Sequence, residues 1–154
     1  MGDKKHKLIF DALINVLGPE NVSDDPSVML AYARDWMPES TINPNPPAFV
    51  ALPCSVKEVQ AIVKLANRFN FPFIPVGGNL WSLNTVAREP YTVILDPKRM
   101  NRIIAIDEKN MYAVIEPYVS HAQLHSEANK RGLYLGSPEA GSQMSSLANH
   151  VFQA

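Results

Sequence analysis

Two adjacent glycines behind a short apolar run are the most chemically suggestive feature of this 154-residue chain. In Pro75-Val76-Gly77-Gly78-Asn79-Leu80-Trp81-Ser82, Gly77 and Gly78 let the backbone turn its N–H groups outward with no Cβ in the way. Such a nest favours an anion such as a phosphate, and Asn79 and Ser82 add side-chain donors. The motif is neither a G-x-G-x-x-G nor a P-loop, so a plain tight turn stands beside the anion nest as a reading. His121 and His125 lie four apart, a metal-ligand spacing on a helix. No third ligand is in reach and no Glu follows the first His, so a packed or surface pair is expected and no metal is assigned. Cys54 has only Lys57 nearby and reads as a packed thiol rather than a nucleophile. Glu116 and Glu139 have no local partner and read as solvated or capping carboxylates. No Ser/His/Asp arrangement follows from spacing, and no catalytic residue is assigned.

The elements that must carry these residues can be read from periodicity. Leu8, Ile9, Ala12, Leu13, Val16 and Leu17 recur at helical spacing over 4–17, with Gly18-Pro19 as the stop. A shorter helical stretch is expected at about 26–34. Five prolines between 38 and 53 (Pro38, Pro44, Pro46, Pro47, Pro53) exclude helix and mark an extended connector. Ala48 to Leu52 reads as a buried strand. Ser55-Val56-Lys57-Glu58 has the form of a capping box, opening a helix expected to bury Val56, Val59, Ile62, Val63, Ala66 and Phe69. Further strands are expected at Phe73 to Val76, Tyr91 to Leu95, Arg102 to Ile106, Met111 to Ile115 and Leu133 to Leu135. A helix is expected at about 120–131, capped by Ser120 and ended by Gly132. Ser145 to Ala154 could begin a helix, but nothing terminates it, and we read the chain as the front part of a longer protein.

Composition bounds the class. Apolar residues are 46% and charged residues 19%, enough for a packed core, and 154 residues suit about one domain. Fourteen Lys+Arg against fifteen Asp+Glu leave a net charge of −1, which argues against nucleic-acid or membrane-surface binding. A single cysteine fits a reducing compartment, so a cytoplasmic protein is expected. No apolar run approaches a membrane span or a signal-peptide core.

Four blocks taken together resemble a known family. Pro53-Cys54-Ser55-Val56-Lys57-Glu58-Val59 resembles the P-x-S-x-x-E-V entry of the FAD-binding domain (PCMH-type) of the vanillyl-alcohol oxidase and p-cresol methylhydroxylase superfamily. Ile74-Pro75-Val76-Gly77-Gly78-Asn79 is similar to its flavin pyrophosphate loop. Val93 to Ile103 and Ala113 to Val119 are similar to its "LD…rMNrI" and "vEPGV" blocks. The resemblance covers roughly residues 48–154. It implies an α+β fold, the first lobe of such a domain, with a small β-sheet flanked by helices. The expected organisation is an N-terminal helical segment and connector at 1–47 and the first lobe at 48–154, with a second lobe and a substrate domain absent.

The implied cofactor is FAD, held by Val76, Gly77, Gly78, Asn79, Leu80, Trp81 and Ser82 in one loop and by Gly141, Ser142, Ser145 and Asn149 in a segment lying along the flavin. The implied activity of the full-length protein is oxidation of a hydroxyl-bearing carbon in a small molecule, a 2-hydroxy acid or an aromatic alcohol or phenol, by hydride transfer to flavin. The isolated stretch is expected to be inactive without the rest of the enzyme or a companion subunit. Departures are also visible. Trp81 and Leu83 stand where the family usually has glycine, Tyr118 replaces the glycine of EPG, and Ser145-Ser146-Leu147-Ala148-Asn149 replaces T-I-G-G-N. They motivate an alternative, a non-catalytic subunit or interaction module with a degenerate flavin site.

Overall fold

The computed structural model describes residues 3–33, 46–77, 87–136 and 141–147. The chain forms two compact units, Met1–Val76 with Trp81–Asp96, and Gly77–Leu80 with Pro97–Ala154.

The first unit begins with α1, Lys4–Leu17. The Asp3 carboxylate accepts from the N–H groups of Lys5 and His6 at 2.9 and 3.4 Å, using donors the first turn cannot satisfy internally. Gly18, at φ +85°, ends the helix in a conformation that other residues rarely adopt. A 3₁₀ turn, Pro19–Asn21, leads into the two-residue strand β1, Val22–Ser23, and then α2, Pro26–Tyr32, capped by Asp25. Strand β2, Phe49–Ala51, precedes α3, Val56–Phe69, which ends at Asn70 in the left-handed region. Strands β3, Phe73–Pro75, and β4, Val93–Leu95, complete a four-stranded sheet in the order β1-β2-β4-β3. Strand β4 runs parallel to both β2 and β3, and β1 is antiparallel to β2.

Strand alternation distributes the side chains between two faces. Phe49, Ala51, Val93 and Leu95 pack with Ile9, Leu13 and Leu17 of α1 and Ile62 and Ala66 of α3. Val50 and Ile94 point the other way and cluster with Met29 of α2 and Val76. The start of α1 is tied to the loop before β4. The Tyr91 hydroxyl donates to Asp3, and the Lys5 ammonium donates to the Asn70 carbonyl at 3.1 Å and lies 4.7 Å from the Tyr91 ring centroid.

The second unit holds a hairpin of β5, Ile103–Asp107, and β6, Tyr112–Ile115. Asp107 closes its turn by accepting from the Asn110 backbone and side chain, both at 2.8 Å. Helix α4, His121–Asn129, follows, with the Ser120 hydroxyl accepting from Gln123 N–H.

Several expectations are corrected. In α3 the buried residues are Ile62 and Ala66; Val59, Val63 and Phe69 are half-buried, and Val56 is 63% exposed because it opens the helix beyond the sheet's cover. Glu58 completes the cap differently from a standard box. It accepts from the N–H of Cys54, at 2.7 Å, one residue before the cap, while Ser55 Oγ accepts from Glu58 N–H at 3.3 Å. Leu133 to Leu135 form no strand. Leu133 N–H returns to the Ala128 carbonyl at 3.0 Å, closing the end of α4 and leaving no partner strand for the run that follows. The connector over 34–45 and the tail from 148 lie outside the described residues.

The corrected face of α3 has a measurable consequence. Ile62→Ala should destabilise the protein by about 2–5 kcal/mol, and Val56→Ala by no more than about 0.5 kcal/mol, in urea unfolding followed by circular dichroism. Equal losses at the two positions would contradict this orientation.

Candidate functional site

In the first unit, the parallel strands end together. Ala51, Leu95 and Pro75 are register partners across β2, β4 and β3, so Leu52, Asp96 and Val76 leave the sheet at one edge. In open sheets with parallel strands, ligands bind outside the carboxyl ends of the strands. Val76 extends the ladder one step, donating its N–H to the Leu95 carbonyl at 3.0 Å, and its buried side chain packs into the smaller cluster. Val76 therefore anchors the loop, and Gly77 begins the turn that follows it. Asp96 is buried at the same edge; its backbone N–H donates to Ala51 O at 2.9 Å and its carboxylate accepts from the Tyr32 hydroxyl at 2.7 Å. The remaining predicted loop residues, Gly78, Asn79, Leu80, Trp81 and Ser82, lie outside the described residues, as does Asn149.

In the second unit, Gly141, Ser142 and Ser145 belong to one segment laid across the start of α4. The carbonyls of Met144 and Ser142 accept from His121 and Ala122 N–H at 2.9 and 2.8 Å. With Gln123 and Leu124 N–H bonded to Ser120, the four donors that open this helix are occupied, so the helix terminus is not an anion site. Gly141 sits at φ +106° with nothing within 4 Å of where a Cβ would stand. Ser145 is buried, bridges to Ser120, and donates its hydroxyl to Pro117 O at 2.5 Å. Its side chain thus secures the segment to the turn at 116–119.

That turn rests on Glu116, which local sequence left without a partner. Hairpin register places Arg102 one step outward from the Ile103↔Ile115 pair, opposite Glu116. Glu116 Oε1 accepts from Arg102 Nε and Nη2 at 3.0 and 2.6 Å, and Oε2 accepts from Arg102 N–H at 2.8 Å. The solvated or capping role expected for Glu116 is therefore corrected to an ion pair in which the carboxylate is buried, its side chain 8% exposed, while the Arg102 side chain is 74% exposed. The Arg102 hydrogen bonds hold its carboxyl below the usual glutamate range against the opposing effect of burial. Tyr118, in place of the family glycine, adopts no left-handed backbone; among described non-glycine residues only Asn70, Tyr91 and Met111 do so. This turn therefore does not require glycine.

The other candidates resolve simply. The His121 and His125 rings stack with centroids 6.0 Å apart, and His125 meets Tyr134 edge-on. Among the described residues no group of three or more His, Cys, Asp or Glu could hold a metal ion, and no helix is long and apolar enough to cross a membrane. Cys54 is half-buried, its thiol 3.2 Å from Glu58 Oε1. Glu139 lies outside the described residues. An apolar groove between the hairpin and α4 is lined by residues including Ile106, Tyr112, Leu124 and Leu133, none of them a predicted site residue.

The sequence profile of a family described as an FAD binding domain matches residues 47–152. The chain belongs to that family. The chain is 30% identical over 143 residues to D-2-hydroxyglutarate dehydrogenase of Stutzerimonas stutzeri (strain A1501), covering 93% of this chain and 30% of that protein. It is 32% identical over 120 residues to the flavoprotein subunit of 4-cresol dehydrogenase (hydroxylating) of Pseudomonas putida, covering 77% and 23%. A solved structure of an alkyldihydroxyacetonephosphate synthase superposes with a TM-score of 0.78 at 25% identity, covering 90% of this chain and 28% of that one. The chain thus spans less than a third of the length of these relatives. The PCMH-type resemblance and the α+β fold expected from sequence are both borne out.

The residues present fit the flavin nucleotide this family binds. In one unit parallel strands end together before a Gly77 turn, and in the other Gly141 has a positive φ and free space where a Cβ would stand. Because the folded pKa of Glu116 is lowered, its contribution to stability is fully present above the ordinary glutamate value of about 4.5 and is lost as pH falls through the lower folded value. Unfolding free energies of the wild type and Glu116→Gln, measured against pH, should therefore differ most near neutrality and converge in acid. A gap that stays constant down through that acidic window would show that the carboxylate's charge is not what matters.

Proposed function

We propose that this domain holds FAD through the loop Val76 to Ser82 and the segment Gly141 to Asn149, within a full-length enzyme that oxidises a hydroxyl-bearing carbon of a small substrate. The match to an FAD binding domain over residues 47–152 carries the reading. FAD, when bound, supplies the two-electron acceptor for the hydride. The chain's own part is to bind and orient. Val76 fixes the loop to the sheet edge, Gly77 gives the backbone the freedom to turn its donors toward a diphosphate, and Gly141 lets the second segment approach closely. The relative named for D-2-hydroxyglutarate supports a 2-hydroxy acid, and the one named for 4-cresol supports a phenolic or aromatic-alcohol substrate. The proton-transferring residues, the rest of the enzyme or a companion subunit, and a cytoplasmic setting belong to the same proposal.

The second reading, a degenerate subunit, is favoured by Leu147, an apolar side chain 43% exposed where the family has a small-residue motif. A visible absorption spectrum of the full-length protein, before and after adding FAD, separates the two. Flavin bands that bleach anaerobically with a D-2-hydroxy acid or a 4-alkylphenol are expected. A colourless protein that ignores added FAD would overturn flavin binding and support the degenerate subunit.

A further inference from the structure

The segment Gly141–Leu147 has little regular structure of its own, so something else must set its position. Its hydrogen bonds converge on two places, the first turn of α4 and the turn Glu116–Val119. In that turn nearly every backbone polar group is used. Glu116 O accepts from Val119 N–H at 3.2 Å, Pro117 O from the Ser145 hydroxyl, and Val119 O from Ser146 N–H at 2.8 Å. Tyr118 N–H donates to Met100 O and Glu116 N–H to Arg102 O, both at 2.9 Å. The turn is thus a junction with residues 100–102 on one side and 145–146 on the other. The buried Glu116 carboxylate, closed by both the guanidinium and the backbone N–H of Arg102, fixes its first residue.

We infer that Arg102 and Glu116 are positioning residues for the flavin-lining segment, acting on FAD through the Pro117–Val119 turn and the Ser145–Ser146 hydrogen bonds. This deepens the reading above and rests on it. Neither residue touches the reacting atoms. They keep the backbone of 141–147 in one place before the cofactor arrives, which lowers the ordering cost of binding.

The test uses the full-length protein. In Glu116→Gln, amide exchange at Ser146 in the FAD-free protein should quicken about tenfold or more, and the Kd for FAD should rise by a similar factor, the scale of one lost charge-assisted hydrogen bond. Arg102→Lys, which keeps the charge without the fork, should recover part of both effects. Asp107→Ala, which uncaps the opposite end of the same hairpin, should leave both readouts within about twofold. Where Glu116→Gln does not fold, Ser145→Ala removes only the link to Pro117 and should shift both readouts the same way, by less.

Faster exchange with unchanged FAD affinity would overturn the inference alone. Equal weakening by Asp107→Ala would overturn it as well, by showing a general loss of unit stability. A wild type that takes no FAD would sink the underlying reading, and the inference with it, before any variant is compared.

Discussion

Strand β4 is the constraint on which the first unit depends. It is buried on both faces and hydrogen-bonded along both edges, so none of its side chains or backbone groups can be relocated cheaply. Once Val93, Ile94 and Leu95 are set, the registers of β2 and β3 follow. The exits at Leu52, Asp96 and Val76 then have to share one edge. The glycine loop is presented there because the strand before it cannot slide; a one-residue slip would exchange Phe73 and Ile74 between the two apolar clusters they pack against.

The second unit is organised differently. Among the described residues its buried apolar side chains are few (Met100, Val119, Leu124, Ala128 and Met144), and Ile104, Tyr112 and Val114 of its hairpin are exposed. A two-stranded hairpin is marginal on burial alone. Order here comes from buried polar groups held by hydrogen bonds: Glu116 by the exposed Arg102, Ser145 by Pro117, and Ser146 by Val119. Such networks specify one arrangement sharply because each member left alone carries a large desolvation penalty. The precision of the second unit therefore rests on hydrogen bonding, whereas the first relies on packing.

Which features were legible in the sequence follows from the range of the forces behind them. Helices α1 and α3 were readable because their signals are local: an apolar period in each, the Gly18 stop of α1 and the Ser55 cap of α3. Strands β2, β3 and β6 were readable to within about a residue for the same reason, and β4 to within two. The two-residue β1 carries no period and exists only through its pairing with β2. Leu133 to Leu135 have strand-forming composition but no neighbouring strand, and composition cannot supply one. Glu116 looked solitary because its partner lies 14 residues away. Only hairpin register joins them, and pairing outward from the Asp107–Asn110 turn would have set Glu116 opposite Ile103, because the register shifts between Ala105 and Ile103. The loop after β3 stood out through its glycines and flanking blocks, whereas the positive φ at Gly141 was not legible, since φ is not written in a residue name.

Pro75 has a consequence beyond the loop it introduces. Strand β3 is an edge of the four-stranded sheet, and because Val76 N–H points inward to Leu95, position 75 faces outward. Proline has no N–H to offer there, so a strand arriving from another molecule would find a donor missing from this short border. At the opposite border β1 provides only two residues. Both margins of the sheet are therefore poor templates for edge-to-edge growth, which protects a strongly apolar three-strand core from seeding aggregates while it folds.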